Sequence, residues 1–355
     1  MIETKTIHQL FLDACDKEDL DVVKTMLLNG INPLCKDEDD WNGLTYAASK
    51  GNLELFKTIE NAAIENTSLT TYQIQRFCFS AMDYAIKEDK ENIVNYVLGK
   101  ATDDEKSETC LLNDALYQAA AYGRHEMAKS IIDKGANIHD QDNSYLILAA
   151  EYGHKDFVHY LIELGAEVSE RDDQALINAS KGGHTEIVDM LLKHGANIHS
   201  REDDALYWAS NNGHAETVEL LLENGADINT QNRGSVLWAA RNGRNDVIDV
   251  FVKRGIDIFD QDECPINEAI YNRRLSVAQN IIVNHNLKVP ESSIMMLNET
   301  KEAAIQMGQN ASVVDDIFKL IEKQNLHNKL RNNLAHKNTQ PIAKAGKTKD
   351  KKMKI

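Results

Sequence analysis

The chain has 355 residues, 27% of them charged, and a formal net charge of −17 at pH 7. This acidic balance argues against wholesale binding to nucleic acid. No apolar run approaches the ~18 residues of a membrane-spanning helix, and the first twenty residues do not have the pattern of a secretory leader. The five scattered cysteines share no C-x-x-C spacing, which predicts buried free thiols in a reducing compartment. We therefore expect a cytoplasmic protein.

Residues 1–110 are predicted to form three pairs of short helices with uneven spacing. In each pair, one turn position follows the first helix, and it is occupied by Glu18, Gly51 or Asp89. Residues 32–40 form a long acidic connection, and residues 65–78 follow no regular pattern. We therefore predict that residues 1–110 form irregular N-terminal repeats.

From residue 111 to residue 289 the pattern becomes regular. Apolar clusters at helical spacing alternate with glycines, and the helix pairs they predict bury their faces only by stacking into a solenoid. The glycines suit the left-handed conformation that ends a helix. Arg273 and His285 replace both glycines in the last unit, so we expect the array to lose definition there. The first glycines recur every 30 residues and the second follow 12 residues later: Gly123, Gly153, Gly183, Gly213 and Gly243, then Gly135, Gly165, Gly195, Gly225 and Gly255.

Three strings carry this period most clearly: AAEYGHKDFVHYLIELGAEV, ASKGGHTEIVDMLLKHGANI and ASNNGHAETVELLLENGADI. They resemble the ankyrin repeat, whose helix–turn–helix core is A-A-x-x-G-H-x-x-V-V-x-x-L-L-x-x-G-A. The usual repeat has about 33 residues. The resemblance therefore implies an all-α, ankyrin-type helical-repeat solenoid with short turns in place of full β-hairpin fingers. The 30-residue variant is similar to arrays found in large DNA viruses and some intracellular bacteria.

The C-terminal part departs from the regular pattern. Residues 290–336 predict two helices, at 299–308 and 313–324, which form a C-terminal cap or a diverged repeat. Residues 337–355 contain seven lysines and one aspartate. Because almost nothing in this segment could enter a core, we predict a disordered basic tail.

Three histidines, His154, His184 and His214, occupy one column of the repeat. Equivalent residues of stacked helices lie about 8–10 Å apart, whereas the ligands of one zinc ion each lie about 2 Å from the metal. We therefore predict that these histidines bind no metal. The column coincides with the G-H position of the ankyrin repeat, and this resemblance implies that the side chain braces the turn. The sequence also has no phosphate-binding glycine loop and no nucleophile motif. We expect neither enzymatic activity nor a cofactor.

Two tryptophans, Trp208 and Trp238, share another column of the repeat. A row of aromatic rings is one way to stack nucleic-acid bases. The neighbouring residues are acidic rather than basic, however, and the ankyrin repeat has an apolar residue facing the neighbouring repeat at this position. The resemblance therefore implies core or half-buried packing for both rings.

A candidate contact surface comes from the positions just before the first-helix glycines, which vary while the framework columns stay constant. A variable binding surface on a fixed scaffold produces this contrast, and sequence drift at exposed positions produces it too. Tyrosine and arginine, which are among these residues, anchor interfaces more often than most residue types. The resemblance implies a non-catalytic protein–protein interaction scaffold that uses this concave face. The candidates are Tyr122, Glu151, Tyr152, Lys181, Asn211, Asn212, Arg241, Asn242 and Tyr271.

The turns between the regular units form a second candidate surface, because they are rich in carboxylates. Aspartate and asparagine are also ordinary turn residues that need solvent, so a structural and a functional interpretation both remain open. The repeated negative sign predicts a partner protein with a basic surface patch, and no small-molecule substrate. The candidates are Asp140, Asp142, Glu170, Asp172, Asp173, Glu202 and Asp203.

The basic tail leaves an alternative function open. The chain would then be an effector or localisation protein whose tail contacts nucleic acid or an anionic membrane while the repeats recruit a partner. Nuclear as well as cytoplasmic localisation agrees with this alternative. If the source is a virus or an intracellular bacterium, the cytoplasm in question is the cytosol of the host cell. A tail that only improves solubility is the simpler interpretation.

Overall fold

The computed structural model describes residues 5–100, 107–140, 144–230, 234–255, 265–285, 289, 291–307 and 311–338. These residues form twenty helices and no β-strand, which confirms the predicted all-α helical-repeat fold. No helix within them is long and apolar enough to cross a membrane. The chain divides into two compact units, Met1–Thr230 (unit 1) and Gln231–Ile355 (unit 2).

The described residues of unit 1 contain seven consecutive helix pairs. The two helices of each pair contact each other, and each first helix packs on the first helix of the next pair. The second helices pack beside their neighbours in the same order, for example α2 on α4 and α12 on α14. The helices are α1 (Ile7–Asp16), α2 (Leu20–Leu28), α3 (Gly43–Lys50), α4 (Leu53–Asn66), α5 (Thr71–Lys87), α6 (Glu91–Lys100), α7 (Ser107–Tyr122), α8 (His125–Asp133), α9 (Ser144–Tyr152), α10 (Lys155–Glu163), α11 (Glu170–Gly182), α12 (Thr185–Lys193), α13 (Asp204–Asn212) and α14 (Ala215–Glu223).

The described residues of unit 2 form three further helix pairs. The helices are α15 (Gly234–Arg241), α16 (Asn245–Lys253), α17 (Pro265–Tyr271), α18 (Leu275–His285), α19 (Glu291–Gln306) and α20 (Ser312–Asn338). Helix α17 packs on α15 and α19, and α18 packs on α16 and α20, so the last pair stacks as a repeat does. Helix α19 begins earlier and α20 ends later than the sequence predicted. Helix α20 includes the first two residues of the predicted tail, and residues 339–355 lie outside the described part of the chain.

Left-handed residues end the first helices, as the glycine pattern predicted. Gly183, for example, has φ +74° and donates its N–H to the carbonyl groups of Ala179 and Ser180. The same conformation occurs where glycine is missing, with φ values of +58° at Glu18, +60° at Asp89 and +58° at Arg273. The expected loss of definition at Arg273 is therefore wrong, because α17 and α18 still pair across this turn. A non-glycine residue in this conformation costs about 1–2 kcal/mol.

The segment at 65–78 differs from the irregular stretch that the sequence suggested. Helix α5 begins within it, and its first turn is fixed by a reciprocal capping box between Thr70 and Gln73. Ile74 and Cys78 on this helix are buried. The polar residues between them hid the helical period.

The connections between repeats agree with the predicted loss of full hairpin fingers. In the described residues, β-type pairing is limited to one isolated bridge between Lys36 and Asn42. This bridge lies in the N-terminal connection where the step between repeats, from Glu18 to Gly51, is 33 residues rather than 30. Three additional residues thus give room for a minimal hairpin.

The cysteines of the described residues are all free thiols. Cys15, Cys35 and Cys78 are buried as expected, but Cys110 is exposed near the start of α7. Burial raises the pKa of the Cys15 thiol to about 12, so this group stays protonated near neutral pH. Cys264 lies outside the described residues.

Candidate protein-binding surface

The histidine column connects each repeat to the one before it. His184 donates a 3.0 Å hydrogen bond from Nε2 to the main-chain oxygen of Glu151. Its ring also covers Gly153, where an added Cβ would lie 2.5 Å from the His184 Cε1 atom. His154 and His214 form the equivalent bonds at 2.9 and 3.0 Å. The predicted bracing role of this column is confirmed.

Arginine takes the same place where the column has no histidine. Arg124 donates from Nε to the main-chain oxygen of Ile86 at 3.0 Å, and Arg274 donates to that of Arg241 at 3.4 Å. A guanidinium group that fulfils the same role as an imidazole shows that the position needs a donor, not a metal ligand. Within the described ranges, no three His, Cys, Asp or Glu side chains are grouped to hold a metal ion.

The predicted residues on the first helices of unit 1 lie at the surface. Tyr152 is 56% exposed and Tyr122 is 40% exposed. Glu151 and Lys181 are exposed as well, whereas Asn211 and Asn212 are half-buried. We call this surface on α7, α9, α11 and α13 the first-helix face.

Side-chain contacts connect the helices of the first-helix face. Glu151 on α9 accepts a 3.2 Å hydrogen bond from Asn178 on α11. One turn along α11, the Lys181 ammonium lies 5.2 Å from the ring centroid of Trp208 on α13, which is half-buried as predicted. Asn212 donates a 2.7 Å hydrogen bond to the main-chain oxygen of Lys181. These contacts hold the exposed groups in fixed positions across three repeats.

Unit 2 presents the same residue types on its own surface. The guanidinium carbon of Arg241 lies 4.4 Å from the ring centroid of Trp238, which is half-buried as predicted. Asn242 is half-buried. Tyr271 is 76% exposed and borders a cleft of about 320 Å³ between α17, α19 and the start of α20.

Two of the predicted turn carboxylates have a structural role instead. Asp173 and Asp203 are only 4% and 2% exposed. Asp173 accepts a 2.8 Å hydrogen bond from the main-chain N–H of Asn197, and Asp203 accepts one of 2.9 Å from that of Asp227. Both side chains therefore close their own repeat, and we remove them from the candidate contact surface. Each of these aspartates lies 24 residues before the residue whose N–H it binds, and this repeated spacing was the available signal in the sequence.

The remaining turn carboxylates form a smaller acidic surface than predicted. Asp172 and Glu202 are exposed, while Asp140 and Glu170 are half-buried. Asp142 lies outside the described residues. Arginines share these turns and reduce the local negative charge: the Nε atom of Arg201 lies 3.7 Å from an Asp172 oxygen.

One half-buried acid lies outside these surfaces. Asp83 on α5 has a pKa raised to about 7, first by burial and second by the negative charge of Asp114 on the neighbouring helix α7. The Asp83 side chain is half-buried, whereas Asp114 is exposed. We interpret Asp83 as a titratable group within the scaffold.

A groove beside the Lys36–Asn42 bridge, between the turn at 36–42 and helix α5, was not predicted from the sequence. The longer step between the first two repeats was its available signal.

Comparison with known families agrees with this architecture. A family model described as ankyrin repeats (3 copies) matches residues 84–172 and 168–232, and one described as ankyrin repeats (many copies) matches residues 11–59. Together the matches cover more than half of the chain. No curated protein matches significantly. Ankyrin repeats are in general non-catalytic modules for protein–protein interaction. The chain belongs to the ankyrin-repeat family.

Proposed function

We propose that the protein is a non-catalytic scaffold that binds a partner protein through the first-helix face of unit 1. The observation that carries this proposal is the exposure of Tyr152, an aromatic side chain held at the surface beside a fixed His184–Glu151 connection. Tyrosine buries a large area on binding and loses little conformational entropy. A rigid scaffold lowers the ordering cost further.

The charge of the protein supports a partner with a basic surface patch. Glu151, Asp172 and Glu202 are exposed, and the whole chain has a net charge of −17. Complementary charge raises the association rate and excludes acidic competitors. Unit 2 offers a second contact surface, formed by Arg241, Asn242 and Tyr271, which carries a cation in place of the carboxylates.

The test uses a partner identified by affinity capture from the source cell and then purified. We expect Tyr152→Ala to weaken its binding at least tenfold, which corresponds to about 1.4 kcal/mol. The matched control is Tyr72→Ala, which removes another exposed tyrosine of unit 1 and should leave the affinity unchanged. Equal affinities for the wild type and Tyr152→Ala would contradict the proposed face.

Charge reversal tests the basic patch separately. The triple variant Glu151→Lys, Asp172→Lys and Glu202→Lys should bind more slowly and lose the salt dependence of association. Its control places three lysines at exposed acids away from this face: Glu163, Glu167 and Glu223. The basic-patch proposal fails if both triple variants slow association equally.

The alternative function places the contact in the tail instead. Its support is the composition of residues 337–355, with seven lysines. Deleting 339–355 would then abolish salt-sensitive retention on nucleic acid or anionic vesicles while leaving partner binding intact. If the deletion leaves this retention unchanged, the alternative is eliminated.

A further inference from the structure

A groove of about 480 Å³ lies in unit 1 between the turn at 36–42 and helix α5. Ligand sites typically have volumes of about 300–1,000 Å³. The groove includes none of the residues proposed above for partner binding, although its helix α5 packs on α7 of the first-helix face.

Most polar groups on the turn side of the groove already have partners. Lys36 forms an ion pair with Asp40 at 3.1 Å. Asn42 accepts from the main-chain N–H of Thr45 at 3.1 Å and so caps helix α3. Because these side chains already have partners, the turn side of the groove contributes its shape to ligand binding and contributes no unpaired charge within the described residues.

Helix α5 forms the opposite wall and carries the available donors. Gln73, Arg76, Ser80 and Tyr84 follow at helical spacing and line the groove together with Phe77. Arg76 is exposed, and among the charged residues of the lining it alone has no ion pair within the described chain. The Gln73 side-chain oxygen accepts from Thr70, which leaves its amide nitrogen for a ligand.

The apolar part of the groove is held firmly. The Tyr84 ring packs edge-on against Trp41, with centroids 4.8 Å apart, and Trp41 also contacts Tyr46 at 5.1 Å. Phe77 and Tyr84 therefore form a surface on which an apolar side chain can pack next to the Arg76 guanidinium.

The turn itself restricts the charge of the ligand. Glu38 and Asp39 are exposed at its tip and would repel a run of acidic residues. An isolated carboxylate at Arg76 avoids this repulsion and gains a charge-assisted hydrogen bond. We propose that the groove binds a protein partner through a peptide segment with one carboxylate flanked by apolar side chains.

The experiment selects random octapeptides displayed on phage against the immobilised full chain. Selected peptides are then synthesised and measured by fluorescence anisotropy. We expect enrichment of a single acidic residue next to apolar residues, and a loss of affinity of at least tenfold in Arg76→Glu. Arg76→Gln should show a smaller loss, because it removes the charge without reversing it.

Two controls separate this groove from other effects. Lys17→Glu makes the same change in net charge at an exposed residue outside the lining and should bind the peptides as the wild type does. Tyr152→Ala should also bind them normally, so a failure of the groove and a failure of the first-helix face are distinguishable. Enrichment of basic or purely apolar peptides, no enrichment, or equal binding by Arg76→Glu would overturn the proposal. Displacement of the peptides by acetate or inorganic phosphate at similar concentration would overturn it too, since it would indicate a small-anion site.

Discussion

The Nε2 atom of His184 lies 3.0 Å from the main-chain oxygen of Glu151, which belongs to the preceding repeat. This bond places the ring directly over Gly153. One side chain thus connects two repeats and also requires a residue without a Cβ beneath it. The histidine and glycine columns of the sequence therefore have one common structural cause.

We expect Gly153→Ala to destabilise the protein more than Gly165→Ala. Both glycines have positive φ, +80° and +90°, so alanine at either position costs about 1–2 kcal/mol. Only at Gly153 would the new Cβ meet a ring, whereas nothing lies within 4 Å of the position at Gly165. Overpacking adds about 1–3 kcal/mol. Urea unfolding followed by circular dichroism measures the difference.

The His184→Ala background provides the control for this prediction. Removing the ring should reduce the cost of Gly153→Ala to that of Gly165→Ala, and a double-mutant cycle gives the coupling energy. A coupling energy near zero would show that the ring does not restrict this position.

Asp173→Ala should lower the free energy of unfolding by about 1–3 kcal/mol, because it removes the buried acceptor of the Asn197 N–H and of the Ser200 hydroxyl. Asp172→Ala is the matched control in the same left-handed turn. Its side chain is exposed, so we expect a change within about 0.5 kcal/mol. Equal effects in thermal and urea unfolding would contradict the structural role of Asp173.

Arg273→Gly should stabilise the protein by about 0.5–1 kcal/mol, because glycine relieves the left-handed conformation at φ +58°. Lys134→Gly is the comparison at a helix end with right-handed φ of −84°. There glycine only adds unfolded-state entropy and should destabilise by a similar amount. Urea unfolding measures both variants. A lower stability of Arg273→Gly would contradict the interpretation that Arg273 is strained in the left-handed conformation.

Asp83→Asn should change how stability depends on pH. The folded-state pKa of about 7 lies above the unfolded value, so the native protein binds the proton more tightly. The contribution of Asp83 is therefore fully present below the unfolded value, near pH 4, and decreases as pH rises towards 7, with a limiting slope of about 1.4 kcal/mol per pH unit.

The measurement compares urea midpoints of wild type and Asp83→Asn between pH 4 and pH 8. The variant should gain stability relative to the wild type as pH rises, because it carries no charge to bury. Parallel pH profiles would show that Asp83 titrates at an ordinary pKa.

The sequence by itself determined the repeat architecture of this protein. The 30-residue step of Gly153 and Gly183, with apolar residues at helical spacing, has few solutions other than stacked helix pairs. The resemblance to the ankyrin G-H position predicted the bracing histidines, and the periodicity placed His154, His184 and His214 in one column.

The tertiary structure decided which polar residues are available at the surface. Asp172 and Asp173 are adjacent residues of the same type. Asp172 is nevertheless exposed, whereas Asp173 is buried and accepts a hydrogen bond from Asn197. The raised pKa of Asp83, and the lack of an ion pair for Arg76 among the described residues, likewise depend on which side chains face each other across neighbouring helices. Repeat periodicity determines which helices stack, but the solvent exposure and electrostatic environment of each charged group depend on distances between side chains of different repeats.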